Sequence, residues 1–274
     1  MPDVPAYDLL VSDIDGTLVA EDKVVPPGVV AAIAAARARG VRVCLATGRM
    51  WASARKYVEI VGADPPAILF NGGLLYDFAQ DRVIWSRPLA LEEARRILPV
   101  LLRFRETSPL VFVQGRVFAG QRTPLTDLYM RRNAVAIEFA PDLAALITAE
   151  PPMKFLVIGA PPDLERLSQA LAGLPPPRVN QVYSQTDYLE VLPPGIDKGV
   201  ALRELARAVG VPLERVVAVG DAMNDLALIQ TAGYGVAVEG SPPPLLAAAK
   251  WICPRPEQEG VRVVIERLFP NRAA

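Results

Sequence analysis

Short continuous apolar runs alternate along this chain with stretches whose apolar positions recur every three or four residues. Leu9-Leu10-Val11, Val41 to Ala46, Ala67 to Phe70, Val216 to Val219 and Gly235 to Val238 read as strands buried on both faces. Pro26 to Gly40 reads as a helix, with Pro26 and Pro27 at its start, Val29, Val30, Ile33 and Ala36 on one face and Gly40 as terminator. Further helices are expected over Ala52 to Val61, Lys198 to Val209, Leu226 to Gln230, Pro244 to Lys250 and Glu259 to Phe269. Strand and helix in strict alternation predict an α/β fold with a parallel sheet covered on both faces.

The rhythm changes near residue 74. Leu74 to Tyr76 and Arg82 to Trp85 read as a hairpin, and a second one is expected around Val111 to Ala119, turning at Gln114-Gly115. Leu91 to Arg103 and Asp163 to Leu171 read as helices, Met153 to Ile158 as a strand, and Arg178 to Tyr183 with Tyr188 to Leu192 as a strand pair. Hairpins clustered with one helix on each side predict a separate α+β module between two halves of the parallel domain. The expected organisation is a core of residues 1–86 and 186–274, with an inserted module at 87–185. Proline clusters such as Pro175-Pro176-Pro177 read as rigid loops.

Composition removes several kinds of chemistry. There is no histidine, which excludes a Ser-His-Asp triad, a Cys-His pair and histidine-ligated zinc. The 29 basic and 30 acidic residues nearly cancel, so no general attraction for nucleic acid or an anionic membrane is expected. Cys44 and Cys253 are too few for a disulfide framework. No apolar run approaches a membrane span and no leader-like segment opens the chain, so a cytoplasmic location is expected. Lysine occurs only at positions 23, 56, 154, 198 and 250, so a lysine in a motif stands out.

The chemistry gathers where the strands end. The first one runs into Ser12-Asp13-Ile14-Asp15-Gly16-Thr17-Leu18, whose two carboxylates lie on one side of an extended segment. Like charges that close resist ionising together, so one is expected to hold a proton or a cation to sit between them. Other strands end in Thr47-Gly48-Arg49, Asn71-Gly72-Gly73 and Gly220-Asp221. Ligands of open parallel sheets bind beyond such ends. Asn224 and Asp225 follow Asp221 at helical spacing, and with Asp13 they make an oxygen-rich set suited to a hard divalent cation such as Mg²⁺. Lys198 opens a helix, where its charge opposes the macrodipole and calls for a compensating anion. Thr47-Gly48 leads to a helix N-terminus, a place for phosphate. Each feature alone is compatible with an ordinary turn, cap or solvated side chain; their convergence makes a site.

Asp13-x-Asp15-Gly16-Thr17-Leu18, Thr47-Gly48-Arg49, Lys198-Gly199 and Gly220-Asp221-x-x-Asn224-Asp225 resemble the four ordered motifs of the haloacid dehalogenase superfamily. The Asn71-Gly72 segment and the position of the inserted module resemble its Cof-type phosphatases, which carry a C2-type cap. The resemblance implies a Rossmann-like core with an inserted α+β cap domain, and Mg²⁺-dependent hydrolysis of small phosphomonoesters, sugar phosphates foremost. It implies that Asp13 is the nucleophile, forming an aspartyl-phosphate, and that Asp15 protonates the leaving alcohol and later activates water. Thr47 and Lys198 would complete the catalytic set. Thr47, Gly48, Asn71, Lys198 and Asn224 would bind the substrate phosphate; Asp13, the backbone carbonyl of Asp15, Asp221 and Asp225 would serve the metal. Asp15 is expected to act as an acid because anionic neighbours raise its pKa. The expected partner is a small phosphorylated metabolite, with no nucleic acid or membrane. Two alternatives use the same motifs: a phosphosugar mutase with the same nucleophile, and a non-catalytic phosphometabolite-binding regulator.

Overall fold

The structure is a computed structural model that describes residues 7–270 apart from 114, 148–149 and 177–178. In chain order the first elements are β1 (Leu9–Ser12), α1 (Pro27–Ala38), β2 (Arg42–Leu45), α2 (Trp51–Val61), β3 (Ala67–Leu69), β4 (Leu74–Asp77) and β5 (Arg82–Ser86). Next come α3 (Leu91–Leu101), β6 (Ser108–Val113), β7 (Arg116–Ala119), α4 (Pro124–Asn133), β8 (Glu138–Phe139), α5 (Leu143–Leu146), β9 (Lys154–Ile158), α6 (Pro161–Ala172), β10 (Asn180–Gln185) and β11 (Tyr188–Leu192). The chain closes with α7 (Lys198–Val209), β12 (Val216–Gly220), α8 (Leu226–Thr231), β13 (Tyr234–Val238), α9 (Pro243–Ala248), β14 (Trp251–Cys253) and α10 (Gly260–Leu268). Two compact units result, one from residues 1–49, 54–85 and 197–274, the other from 50–53 and 86–196.

The first unit is built on a parallel sheet in the order β14-β13-β12-β1-β2. β1 lies between β12 and β2, with Leu10 opposite Val217 on one side and Val43 on the other. All four of its residues are buried, because helices cover both faces. Leu9, Val11, Cys44, Ile68, Val216 and Ala218 meet Leu202, Leu205, Leu228 and Ile229 of α7 and α8, while α1 packs on α10. Ala46 bridges to Ile68 in parallel, so β3 continues the sheet before β4 and β5 turn back as a hairpin. In α1 the buried positions are Val29, Ile33 and Ala36, spaced as an amphipathic helix requires. Its first turn opens on Pro26-Pro27 and a left-handed Gly40 follows its end.

The second unit is a six-stranded sheet in the order β10-β11-β9-β6-β7-β8, antiparallel except where β7 meets β8. One face, carrying Val111, Phe155, Val157, Leu189 and Val191, packs on Ile97 and Leu98 of α3 and Leu164 and Leu167 of α6. The sequence border at 186 falls inside the β10–β11 hairpin, and the chain returns to the first unit at Asp197. Two short helices join the expected pair. The polar α4 is begun by Thr123, whose hydroxyl accepts from the Thr126 amide, and Tyr129 on it meets the Tyr188 ring. Of the expected hairpin turn, Gln114 lies outside the described residues, as do Arg178 and Pro177. No helix among the described residues is long and apolar enough to cross a membrane.

Candidate active site

The end of β1 brings Asp13 into a buried cluster. Its amide donates to the Val219 carbonyl, which keeps it in line with the neighbouring strand. Gly16 follows in the left-handed region at φ 82°, and a β-carbon there would lie 2.2 Å from Asp221 Oδ2; the approach of the first motif to the last therefore needs a glycine. Thr17 Oγ1 donates to Asp221 Oδ1 at 2.8 Å and ties the same two segments. Asp13, Asp221 and Asp225 bring one carboxylate oxygen each within 4.8 Å of one another. Lys198 sits among them with no exposed surface, its Nζ donating to Asp13 Oδ1 and Asp225 Oδ1, each at 2.6 Å. That is the compensating anion its helix-opening position demands. The second oxygen of Asp225 accepts from the Asp221 and Ala222 amides, so Asp225, rather than Asp221, satisfies the free amides of this turn.

These contacts set the charges. Burial pushes the Asp13 carboxyl well above its usual range, Asp225, Asp221 and Asp15 add to the shift, and Lys198 opposes it. Burial and then Asp225 likewise push Asp221 up to about 7, against Thr17 and Lys198. Burial alone would lower the Lys198 pKa, but Asp13 and Asp225 reverse this and raise it. Three crowded carboxylates, with Asp13 and Asp221 raised in this way, form a donor set that fits a hard divalent cation.

Asp15 departs from expectation. Its carboxylate accepts from Arg49 through Nε on Oδ2 and Nη2 on Oδ1, both at 2.7 Å. Lys23 Nζ also donates to Oδ1 at 2.7 Å. Burial would raise the pKa of Asp15, but the hydrogen bonds and charges of Arg49 and Lys23 outweigh it and hold the group down at about 2. The sequence-based expectation of an acid raised by anionic neighbours is corrected: each of the paired carboxylates has its own cation, and Asp15 is ionised. Its carboxylate is not one of the three that gather within 4.8 Å of one another, and its backbone carbonyl is the ligand the resemblance implies. The Arg49 guanidinium stacks over the Tyr57 ring, 5.1 Å from the centroid, which fixes the fork.

The other expected residues line the neighbouring strand ends. Thr47 is buried, its amide donating to the Ile68 carbonyl and its hydroxyl accepting from the Arg49 amide. The Asn71 amide donates to the Thr47 carbonyl, and Asn71 Oδ1 accepts from Asn224 Nδ2 at 2.9 Å. Asn71 adopts φ 53°, the left-handed conformation that asparagine tolerates. Next to it, a β-carbon on Gly72 (φ 103°) would lie 2.1 Å from the Asp197 carbonyl, so the turn packs directly on the segment that delivers Lys198. A β-carbon on Gly48 would meet the Asn71 amide at 2.9 Å. All the expected site residues belong to the first unit. Sequence reasoning missed Lys23 and Tyr57; the scarcity of lysine was the one signal for the former, and nothing marked the latter.

A parallel α/β sheet that ends in a buried aspartate cluster around a lysine, with hydroxyl and amide groups at adjacent strand tips, fits a hydrolase built around an aspartate set that could hold a metal ion. The chain belongs to the haloacid dehalogenase-like hydrolases, whose family model matches residues 10–265. It is similar to a Bacillus subtilis protein named "Putative phosphatase YxeH", 26% identical over 273 residues that cover 96% of this chain and 98% of that one. Among solved structures it resembles a haloacid dehalogenase-like hydrolase from Bacteroides thetaiotaomicron, with a TM-score of 0.86 and 26% identity over 96% of this chain and all of the other. A Thermotoga maritima protein superposes with a TM-score of 0.81 and 26% identity, over 95% and 97% of the two chains.

Proposed function

We propose that this protein is a Mg²⁺-dependent phosphatase of small phosphorylated metabolites, sugar phosphates foremost, working through an aspartyl-phosphate on Asp13. The observation that carries the reading is the buried Lys198 bridging Asp13 and Asp225 beside Asp221. The phosphatase name of the Bacillus subtilis relative supports it. Asp13, the Asp15 carbonyl and Asp221 would hold the cation, with Asp225 positioning them; when bound, Mg²⁺ offsets the negative charge of the phosphoryl group. A carboxylate approaching a phosphate dianion is repelled, so Lys198 and Thr47 lower that barrier from the protein side. Gly48, Asn71 and Asn224 complete the phosphate-binding set.

In the first step an Asp13 oxygen bonds to phosphorus, the bond from phosphorus to the ester oxygen breaks, and Asp15 supplies the proton that the departing alkoxide takes. In the second, Asp15 removes a proton from water, which attacks phosphorus and frees Asp13 as phosphate leaves. The ionised Asp15 of this structure is suited to the second step. Donating a proton in the first requires its hold on Arg49 and Lys23 to loosen. We assign the first unit to the catalytic core and the second to the cap, so that the border expected at 186 lies at 197, and we place the protein in the cytoplasm.

The test is phosphate release from a panel of sugar, nucleotide and cofactor monoesters, with and without Mg²⁺, by the parent and Asp13→Asn. Release that needs both metal and Asp13 is expected, with the parent gaining a phosphoryl mass when quenched during turnover. Release that persists in a contaminant-free Asp13→Asn overturns the nucleophile; isomerised product without free phosphate would indicate a mutase.

A further inference from the structure

Asp15 is held by more positive charge than it needs. The Arg49 fork alone supplies a donor to each carboxylate oxygen, in the bidentate geometry that suits a guanidinium. Backed by Tyr57 and with a side chain only 10% exposed, that fork is fixed. Lys23 is placed differently. It makes one contact to an oxygen that Arg49 already serves, its side chain is 34% exposed, and its backbone stands in the left-handed region at φ 59° on the loop between β1 and α1. An ammonium is a compact charge with rotatable donors on a flexible stem, so it exchanges partners more easily than a stacked fork. Two cations on one carboxylate leave a net positive charge beside the group that would serve the leaving oxygen. Neutralising Asp15 does not account for Lys23, because Arg49 does that.

We propose that Lys23 is a specificity-determining residue that recognises a second anionic group on the leaving alcohol, a carboxylate or a phosphate carried near the ester oxygen. The inference rests on the reading of Asp15 as the group that meets that oxygen. Lys23 Nζ lies 2.7 Å from the Asp15 carboxylate, and a hydrogen-bonded ester oxygen sits at a similar distance on the other side. The ammonium is therefore roughly 5–7 Å from the ester oxygen, within reach of a substituent one or two carbons away. The substrates this favours are phosphorylated hydroxy acids, sugar acids among them, or bisphosphates. Such a ligand takes Lys23 in exchange for Asp15, leaving Asp15 to Arg49 alone.

The experiment compares kcat/KM within matched pairs in saturating Mg²⁺: 3-phosphoglycerate against glycerol 3-phosphate for a carboxylate, and ethylene glycol bisphosphate against ethylene glycol monophosphate for a phosphate. In the parent the anionic member of at least one pair is preferred about tenfold, as a charge-assisted hydrogen bond allows. Lys23→Gln loses that preference and Lys23→Arg keeps it, and the pair that shows it identifies the anion. Equal loss on both members in Lys23→Gln would assign Lys23 to holding Asp15 and overturn the proposal. So would a parent without preference in either pair, or one that hydrolyses p-nitrophenyl phosphate and none of the four. Failure to release phosphate even from p-nitrophenyl phosphate would instead overturn the phosphatase reading itself.

Discussion

Replacing Lys198 by methionine tests the electrostatic reading of the site most directly. The ammonium is fully buried and contacts two carboxylates at 2.6 Å, with a third within 4.8 Å of both. Methionine keeps much of the volume and removes the only charge in contact with Asp13 and Asp225 among the hydrogen bonds described. Breaking a buried pair by removing one partner costs about 3–5 kcal/mol, because the remaining charge is stranded. For a chain of this size that is a fall in melting temperature of about 10 °C. The carboxylates can escape part of the penalty by taking up protons, and Asp13, already raised, does so first. A carboxyl with a raised folded pKa stabilises the fold below its unfolded value and loses that contribution as pH rises, so the penalty must grow from pH 5.5 to 8. In EDTA, thermal unfolding of parent and variant at both pH values measures this; Mg²⁺ should then raise the variant's melting temperature more than the parent's, without restoring phosphate release. Equal melting temperatures in EDTA, or a fall independent of pH, would refute the claim that Lys198 balances the cluster.

Other expectations follow from neighbouring residues. With Asp221 raised to about 7, Mg²⁺ must displace a proton from it, so titration calorimetry should show affinity rising between pH 6 and 8 and protons released on binding; affinity flat across that range would contradict the shift. Gly16→Ala puts a β-carbon 2.2 Å from Asp221 Oδ2 at a left-handed position. It should weaken Mg²⁺ at least tenfold, on the order of 1.4 kcal/mol, and normal metal affinity would show that the two segments can separate freely. In the second unit Lys154 and Glu190 pair at 2.6 Å with 2% and 3% of their side chains exposed. Lys154→Met should cost about 3–5 kcal/mol and Lys154→Met with Glu190→Leu much less, as read by denaturant unfolding; equal losses would mean that the pair is not coupled.

The strands of the first unit were legible because burial on both faces leaves no polar positions in Leu9–Val11 or Val216–Val219. The site residues were legible because each closes such a strand or opens the next helix. Lys198 was informative through a conflict, a cation at a helix start that burial then makes dependent on Asp13 and Asp225. Other features lacked a local pattern. α4 is polar on most of its surface, so the 3.6-residue periodicity is faint, and only Thr123-Pro124 signalled its start. β8 and β14 are too short for alternation to show. The charge state of Asp15 depends on Lys23 and Arg49, brought to it from 8 and 34 residues away; spacing in sequence suggested the nearer carboxylate Asp13 as its dominant neighbour.

The position of β1 between β2 and β12 also bears on how the protein is made. On a ribosome adding about 5–20 residues each second, β12 emerges on the order of ten seconds after β2. During that interval β1 can pair on one side only, and its other edge is an apolar strand with unpaired amides, the kind of edge that recruits foreign strands. The second unit meanwhile has all of its own strands once Leu192 is out. The part inserted into the chain can therefore fold before the part that hosts it. Asp13 waits for Lys198, Asp221 and Asp225, all of which follow the last strand of the second unit, so the carboxylate cluster can close only after that unit has left the ribosome.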